Sequence, residues 1–371
     1  MRSAMLIIVV VLLLTGCNYH NDLKNLQLIY ATAIDVNEKN DIVTTVTIQT
    51  PGGKERSTPV HEVLSDSGPT LQESLYKKIG LQIAGPIGVS KNQVLLIGEK
   101  LAKKDLADIL DSTFRNSNDP MLAKVAIVRG KAGELIRLDR IGSATAGEYL
   151  RKIIMSARYE TIIPSLSLHA LYPLLHDKGR DPVIPLLRKE EDKAVVDGVG
   201  LIHKRKYTGY SLTPEQSTLL ILMYGRKDKV CVITRKVEED SMQKDDPSQY
   251  LSLNITNLKR DKRVWIDEEG RVQIQLDLKM KGSVVEFAHD NLSDKKQVAA
   301  LSQRFSDILT EEGHATCRLL QKANSDALSI GRDIMAYYPD AWAKMDWDTA
   351  YPNANFHVSM NVEIISHGII N

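Results

Sequence analysis

The sequence around Cys17 gives the clearest indication of a chemically reactive side chain in this protein. It follows an unbroken apolar run from Ala4 to Leu14, and the positively charged Arg2 precedes that run. A positive residue, an apolar segment and small residues before a cut are typical of a secretory signal peptide. The run has 11 residues, whereas a helix that crosses the hydrocarbon core needs about 20. The sequence therefore predicts a nucleophilic thiol close to a membrane surface.

The four residues Leu14-Thr15-Gly16-Cys17 resemble the lipobox of bacterial lipoproteins. The resemblance implies that the Cys17 thiol receives diacylglycerol and that the chain is cut between Gly16 and Cys17. Residues 1–16 would be the signal peptide, residues 17–25 a lipidated tether, and the rest would fold on the extracytoplasmic face of the membrane. Two acyl chains make a durable anchor, because each buried methylene contributes about 0.8 kcal/mol. An ordinary signal peptide with a chance cysteine is the alternative.

The chain lacks the short motifs that usually mark a catalytic or cofactor site. Residues 209–213, Gly-Tyr-Ser-Leu-Thr, lack the second glycine of a nucleophile elbow. No phosphate loop that ends in Gly-Lys and Ser or Thr is present. Residues 198–200, Gly-Val-Gly, lack the third glycine and the following helix of a dinucleotide site, so close packing in a strand explains them better. We expect no catalytic residue and no cofactor, with an enzyme of unfamiliar site as the remaining alternative.

Metal-ligating residue types are present but are not spaced as ligands. No two histidines have the i,i+4 spacing of one helix face, and no cysteine pair has zinc spacing. Residues 267–270, Asp-Glu-Glu-Gly, lie between two strand signals and indicate a hairpin turn rather than a carboxylate site. No metal site is therefore expected. Cys231 and Cys317 are interpreted as buried free thiols, and a disulfide between them is the alternative outside the cytoplasm.

Composition excludes an electrostatic nucleic-acid binder. The 48 basic and 47 acidic side chains leave a formal charge of +1, which falls to zero when Arg2 is removed with the signal peptide. Four Phe and three Trp are too few for the stacking platforms that bind single strands. No second apolar run reaches membrane-spanning length.

Hydrophobic periodicity predicts an α+β fold in three consecutive mixed domains. The predicted units are residues 26–193, a small middle domain at 194–265, and a C-terminal domain at 266–371. The first boundary rests on a loop at 176–193 that is rich in proline and charge. The last domain is expected to be an antiparallel sheet covered by long helices, because apolar residues alternate strictly from Val272 to Met280 and from Phe356 to Ile364.

Several segments, in order, resemble the Ger(x)C family, the C-subunit lipoproteins of spore germinant receptors. Asp22-Leu23 and Ala33-Ile34-Asp35 follow the lipobox. The longer segments that carry the resemblance are VLLIGEKLAKKDLADILDSTFRN, DGVGLIHKRKYTGYSLTPEQSTLLILMYG, GRDIMAYYPDAWAKM and FHVSMNVEIISHG. Family members usually have Trp-Asp directly after the lipid cysteine, whereas this chain has Asn18-Tyr19-His20, so its tether departs from the pattern.

The resemblance implies a noncatalytic subunit with no cofactor. Its partners would be two polytopic membrane subunits of A and B type, which respond with it to small nutrients in the inner membrane of the spore. Only Cys17 inherits a stated role, as the lipid attachment site. A lipid-anchored solute-binding protein is the alternative, although that class usually has two doubly wound lobes, and an extracellular hydrolase is a third possibility.

Overall fold

The computed structural model describes residues 26–50, 60–116, 120–138, 145–237, 246–288, 292 and 294–366. Most of the described strands belong to one large mixed sheet, in the order β3-β2-β1-β5-β6-β7-β8-β9, with the short β4 beside β1. Its strands are β1 Gln27–Val36, β2 Ile42–Thr50, β3 Val60–Gly68, β4 Ile87–Gly88, β5 Val94–Gly98, β6 Lys124–Val128, β7 Val183–Glu190, β8 Lys193–His203 and β9 Lys206–Leu212.

Four neighbouring strands at the centre of this sheet, β1, β5, β6 and β7, run parallel. β5, and β6 after Lys124, carry no polar side chain, because both faces of the sheet are covered. In β5, Val94 and Leu96 join one core cluster, and Leu95 and Ile97 join the other. The covering helices are α1 Gln72–Ile79, α2 Glu99–Ala102, α3 Leu106–Ile109, α4 Asp111–Arg115, α5 Gly133–Ile136, α6 Ala146–Tyr159 and α7 Leu168–Leu175.

A second sheet holds four strands in the order β10-β11-β12-β13. They are β10 Val232–Lys236, β11 Tyr250–Ile266, β12 Val272–Glu286 and β13 Asn355–Ser366. The predicted alternation is confirmed, since Val272, Ile274, Leu276, Leu278 and Met280 are all buried. The helices of this half are α8 Pro214–Met223, α9 Lys295–Lys322, α10 Ile330–Tyr337, α11 Pro339–Trp342 and α12 Trp347–Ala350.

The α+β class and the helix-covered C-terminal sheet are confirmed, with one difference in strand direction. β10, β11 and β12 pair antiparallel, and residues 267–270 form the predicted turn between β11 and β12. β13, however, pairs parallel to β12. The connection between these two strands includes the 28-residue helix α9, which crosses the sheet and brings the chain back in the same direction.

The predicted loop at 176–193 is wrong in part, because residues Val183–Glu190 form β7. The expected boundary at 193/194 falls within the tight hairpin between β7 and β8. Residues 194–212 consequently lie in the large sheet, whereas β10 and β11 lie in the second sheet. The segment predicted as a middle domain thus contributes strands to both sheets.

Helix α8 joins the two sheets. Thr213 and Gln216 form a capping box at its start, each side chain accepting a hydrogen bond from the other residue's backbone N–H. Leu219, Leu222 and Met223 are buried. They belong to one core cluster that includes residues of the large sheet, of the second sheet and of α9. The two halves therefore share a continuous apolar core.

Candidate functional site

The predicted anchor residues, Gly16 and Cys17, lie outside the described residues, so the lipid site stays a prediction. Leu26, the first residue that the structure describes, lies directly before β1 in the parallel part of the large sheet. No helix in the described ranges is both long and apolar enough to cross a membrane.

A polar cleft lies at the carboxyl ends of β1, β5 and β6. Its volume is about 1190 Å³, and residues 35–41, 99–103 and 130–137 supply most of its walls. This position follows from the topology, because open sheets with parallel strands place their crevices at the carboxyl ends. The walls carry several lysines and carboxylates, and neither histidine nor cysteine lines the cleft. The lining therefore supports binding of a charged molecule better than nucleophilic catalysis.

Asp35 closes the floor of this cleft. Its two carboxylate oxygens accept hydrogen bonds from the backbone N–H groups of Ala132 and Gly133, both at 2.8 Å. Burial raises the pKa of Asp35, and the two backbone hydrogen bonds oppose that rise. Gly98 is required beside it, since a Cβ at position 98 would overlap Oδ1 of Asp35. Asp35 thus ties the end of β1 to the first turn of α5.

A second polar cluster joins the two halves of the protein, between the start of β7 and the segment that follows α9. Asp181 Oδ2 accepts the backbone N–H of Asp326 at 3.0 Å, and Asp181 N–H donates to the Asp326 carbonyl at 3.1 Å. His203 lies within 3.4 Å of both Asp181 and Asp348. Arg332 adds an ion pair with Asp177 at 2.5 Å. These contacts hold the second half against the large sheet.

Asp326 is the most deeply buried carboxyl group of this cluster. Its oxygens accept the backbone N–H groups of Ile330 at 2.8 Å and of Gly331 at 2.7 Å. Burial raises the pKa of Asp326 to about 7, and the hydrogen bonds from Gly331 and Ile330 act against that rise. Tyr351 is also fully buried, and its hydroxyl donates to the carbonyl of Ser325 at 2.9 Å. The cluster is an interlock between the halves, with a carboxyl group that takes up a proton near neutral pH.

Local sequence patterns do not mark this cluster. Asp181, His203, Asp326 and Asp348 come from separate parts of the chain, and only tertiary packing brings them together. The carboxylates of Asp181 and Asp348 lie beside the two ring nitrogens of His203 and satisfy them. In the part of the chain that the structure describes, no group of three or more His, Cys, Asp or Glu side chains could hold a metal ion.

The two remaining cysteines are free and buried, as predicted. Burial raises the pKa of the Cys231 thiol to about 11 and that of Cys317 to about 12. Thiols of this kind react slowly, because the thiolate is the nucleophile. Their role is packing: Cys317 Sγ lies 3.9 Å from the sulfur of Met223.

Comparison with known proteins places both halves in one family. The family model described as "Spore germination protein N-terminal domain" matches residues 19–189. The model described as "Spore germination B3/ GerAC like, C-terminal" matches residues 197–368. The two models together span nearly all of the chain that follows Cys17.

Individual relatives agree with this match over at least nine-tenths of their length. The chain is 19% identical to spore germination protein GerQC of Bacillus cereus, over 100% of this chain and 99% of the relative. It is 23% identical to spore germination protein KC of Bacillus subtilis (strain 168), over 94% of this chain and 91% of the relative. The crystal structure of the GerBC protein has the same fold, with a TM-score of 0.60, 18% identity, and coverage of 90% of this chain and 96% of that one. The chain therefore belongs to the Ger(x)C family of spore germination proteins.

Proposed function

We propose that this protein is a noncatalytic, lipid-anchored subunit of a nutrient germinant receptor. The observation that carries the proposal is the extent of the family match, which begins at residue 19, two residues after the lipobox cysteine, and continues to residue 368. A lipobox and a whole-chain family match together favour a protein that works at the membrane on the extracytoplasmic face. Diacylglycerol on Cys17 would hold it there, in the inner membrane of the spore.

The proposed partners are two polytopic membrane subunits of A and B type. Relatives over the full length of the chain are named as spore germination proteins, and the family resemblance places such C subunits beside these two components. The shared core and the interlock around Asp326 favour one body that docks as a unit on its partners. Small nutrients such as amino acids or sugars would be the signals to which the complex responds.

The alternative function, a lipid-anchored solute-binding protein, fits the architecture less well. That class usually has two doubly wound lobes with parallel sheets. Here the second sheet has two antiparallel pairs, and its single parallel pair is at the edge formed by β13. An enzymatic function is also not favoured, because neither the polar cleft nor the interlock presents a nucleophile beside a general base.

A gene replacement tests the proposal. Spores that lack the gene should lose a response to at least one nutrient in a panel of amino acids and sugars, while vegetative growth stays normal. The wild-type gene should restore the response, and a Cys17→Ala gene should leave the protein without lipid and sharply reduce its retention in the spore membrane fraction. A growth defect combined with normal germination would contradict the receptor assignment, and unchanged retention of the Cys17→Ala protein would contradict the anchor.

A further inference from the structure

Three arginine side chains meet at the ring of Tyr224, the residue that follows α8. The guanidinium carbons of Arg180, Arg226 and Arg260 lie over this ring, at 4.8, 5.0 and 6.0 Å from its centroid. Arg180 lies shortly before β7, Arg226 lies two residues after Tyr224, and Arg260 lies in β11. The three side chains, which we call the arginine cluster, thus come from the large sheet's side, from the end of α8 and from the second sheet.

Tyr224 and Gly225 hold these side chains at one place. A cation over the face of an aromatic ring is attracted by the negative potential of that face. Gly225 has a φ of +78°, and a Cβ at this position would lie 3.0 Å from Nε of Arg260. A larger residue would therefore push the Arg260 guanidinium away. Contact with a ring, however, gives a guanidinium no oxygen acceptor for its N–H groups.

The described residues supply the arginine cluster with almost no acceptors. Within those ranges its one hydrogen bond runs from Nη1 of Arg260 to the Met223 carbonyl, at 3.3 Å, and none of the three guanidinium groups pairs with a carboxylate. Nε of Arg180 is buried and has no hydrogen-bond partner. A buried N–H without an acceptor is unfavourable, and more so when the group is charged. The cluster therefore favours an acceptor that these residues do not provide.

The carboxylates nearest to Arg180 have other partners. A cavity of about 500 Å³ adjoins this side chain and is lined by four aspartates. Each of them is already engaged: Asp177 with Arg332, Asp181 with His203, Asp348 with Lys204, and Asp326 with two backbone N–H groups. Burial lowers the pKa of Arg180, the charges of Arg226 and Arg332 lower it further, and Tyr224 and Asp177 act against this change. Arg180 is thus a half-buried cation without a counter-charge of its own.

From these contacts we propose that the arginine cluster binds a phosphate group, either as free phosphate or as the monoester of a small molecule. Guanidinium groups form strong charge-assisted hydrogen bonds with phosphate oxygens, often two at a time. A phosphate monoester carries about two negative charges and three acceptor oxygens, and so suits three cations better than a single carboxylate does. The bound group would connect the segment before β7, the end of α8 and β11, and would stabilise the junction of the two halves. This site goes beyond the proposed function, because it requires neither the lipid nor the membrane subunits.

Phosphate titration of the full chain, in a neutral maltoside detergent, tests the proposal. We expect inorganic phosphate to raise the urea midpoint of the wild type saturably, and by more than sodium chloride does at equal ionic strength, because a ligand of the folded state stabilises that state. Isothermal titration calorimetry should give a Kd at least tenfold weaker for Arg180→Gln and for Arg226→Gln, since each variant loses a charged donor. Arg226 is exposed, so the second variant should fold even if the first does not.

Arg271→Gln is the matched control. Arg271 is exposed beside the turn between β11 and β12, about 20 Å along β11 from Arg260, and its replacement should leave the Kd unchanged. Glycerol 3-phosphate in a parallel titration identifies the source: tighter binding than that of inorganic phosphate supports a monoester, and weaker binding supports free phosphate.

A phosphate effect no larger than that of sodium chloride would overturn the proposal. Equal phosphate affinity of the wild type and both cluster variants would also overturn it, and would assign the three arginines to packing against Tyr224. The same loss of affinity in Arg271→Gln would show a general effect of charge and refute a specific site. None of these results bears on the lipid anchor or on the receptor assignment.

Discussion

Replacement of Asp326 by Asn should change how the stability of the protein depends on pH. Burial raises the pKa of Asp326 from 3.8 to about 7, so the folded state holds this proton more tightly than the unfolded chain does. The resulting stabilisation is fully present below about pH 4 and is lost as the pH rises through about 7. Since one pKa unit corresponds to about 1.4 kcal/mol, the total effect is about 4 kcal/mol, of which about 3 kcal/mol falls between pH 5 and 8.

The Asp326→Asn variant keeps the shape of the side chain but cannot ionise. Both carboxylate oxygens accept backbone N–H groups, so one of these donors would face the amide NH₂, at a cost of about 1–3 kcal/mol. At pH 5 we expect the variant to be less stable than the wild type. At pH 8 the wild type buries a charge beside Asp181, so the difference between the two proteins should shift in favour of the variant by about 3 kcal/mol.

Urea unfolding at a series of pH values measures this difference. Asp340→Asn is the control, because Asp340 is exposed and its replacement should leave the wild-type pH dependence unchanged. If Asp326→Asn shows the same pH dependence as the wild type, then Asp326 stays ionised in the folded protein. In that case the hydrogen bonds from the two backbone N–H groups stabilise the carboxylate more than burial destabilises it, and the prediction is wrong.

Two further predictions follow from the packing. Gly98→Ala should destabilise the protein by about 2–4 kcal/mol in urea unfolding, because the new methyl group overlaps the Asp35 carboxylate. Gly80→Ala is the control and should change stability by less than about 1 kcal/mol, because the nearest neighbour of its methyl group would lie at 3.7 Å. Similar losses of stability in both variants would show that the Asp35 carboxylate can move away from position 98. In the native protein, Cys231 and Cys317 should react with a thiol reagent only as fast as the protein unfolds, because both thiols are buried and have raised pKa values. Rapid labelling of either thiol under native conditions would contradict its burial.

Local patterns predicted the elements that have one dominant local cause. Strict alternation predicted β12 and β13, because a strand with one buried face must alternate. The spacing of Thr213 and Gln216 is also typical of a helix start, since a capping box satisfies backbone donors within four residues, and α8 begins there. β7 was missed because its Pro185 and its charged end resemble a loop. Proline fits there because the pairing of β7 with β8 shifts register between Pro185 and Leu187.

The sequence by itself determined the family and the α+β class, and it predicts the anchor at Cys17, because each of these depends on short segments that can be read without their tertiary contacts. Only the tertiary structure decided that β13 lies parallel to β12, that the supposed middle segment is divided between two sheets, and that Asp181, His203 and Asp326 meet. Direction and pairing depend on the path of connections such as α9. The interlock depends on desolvation of groups that are more than a hundred residues apart in the chain. No local sequence pattern predicts the strand directions or this cluster.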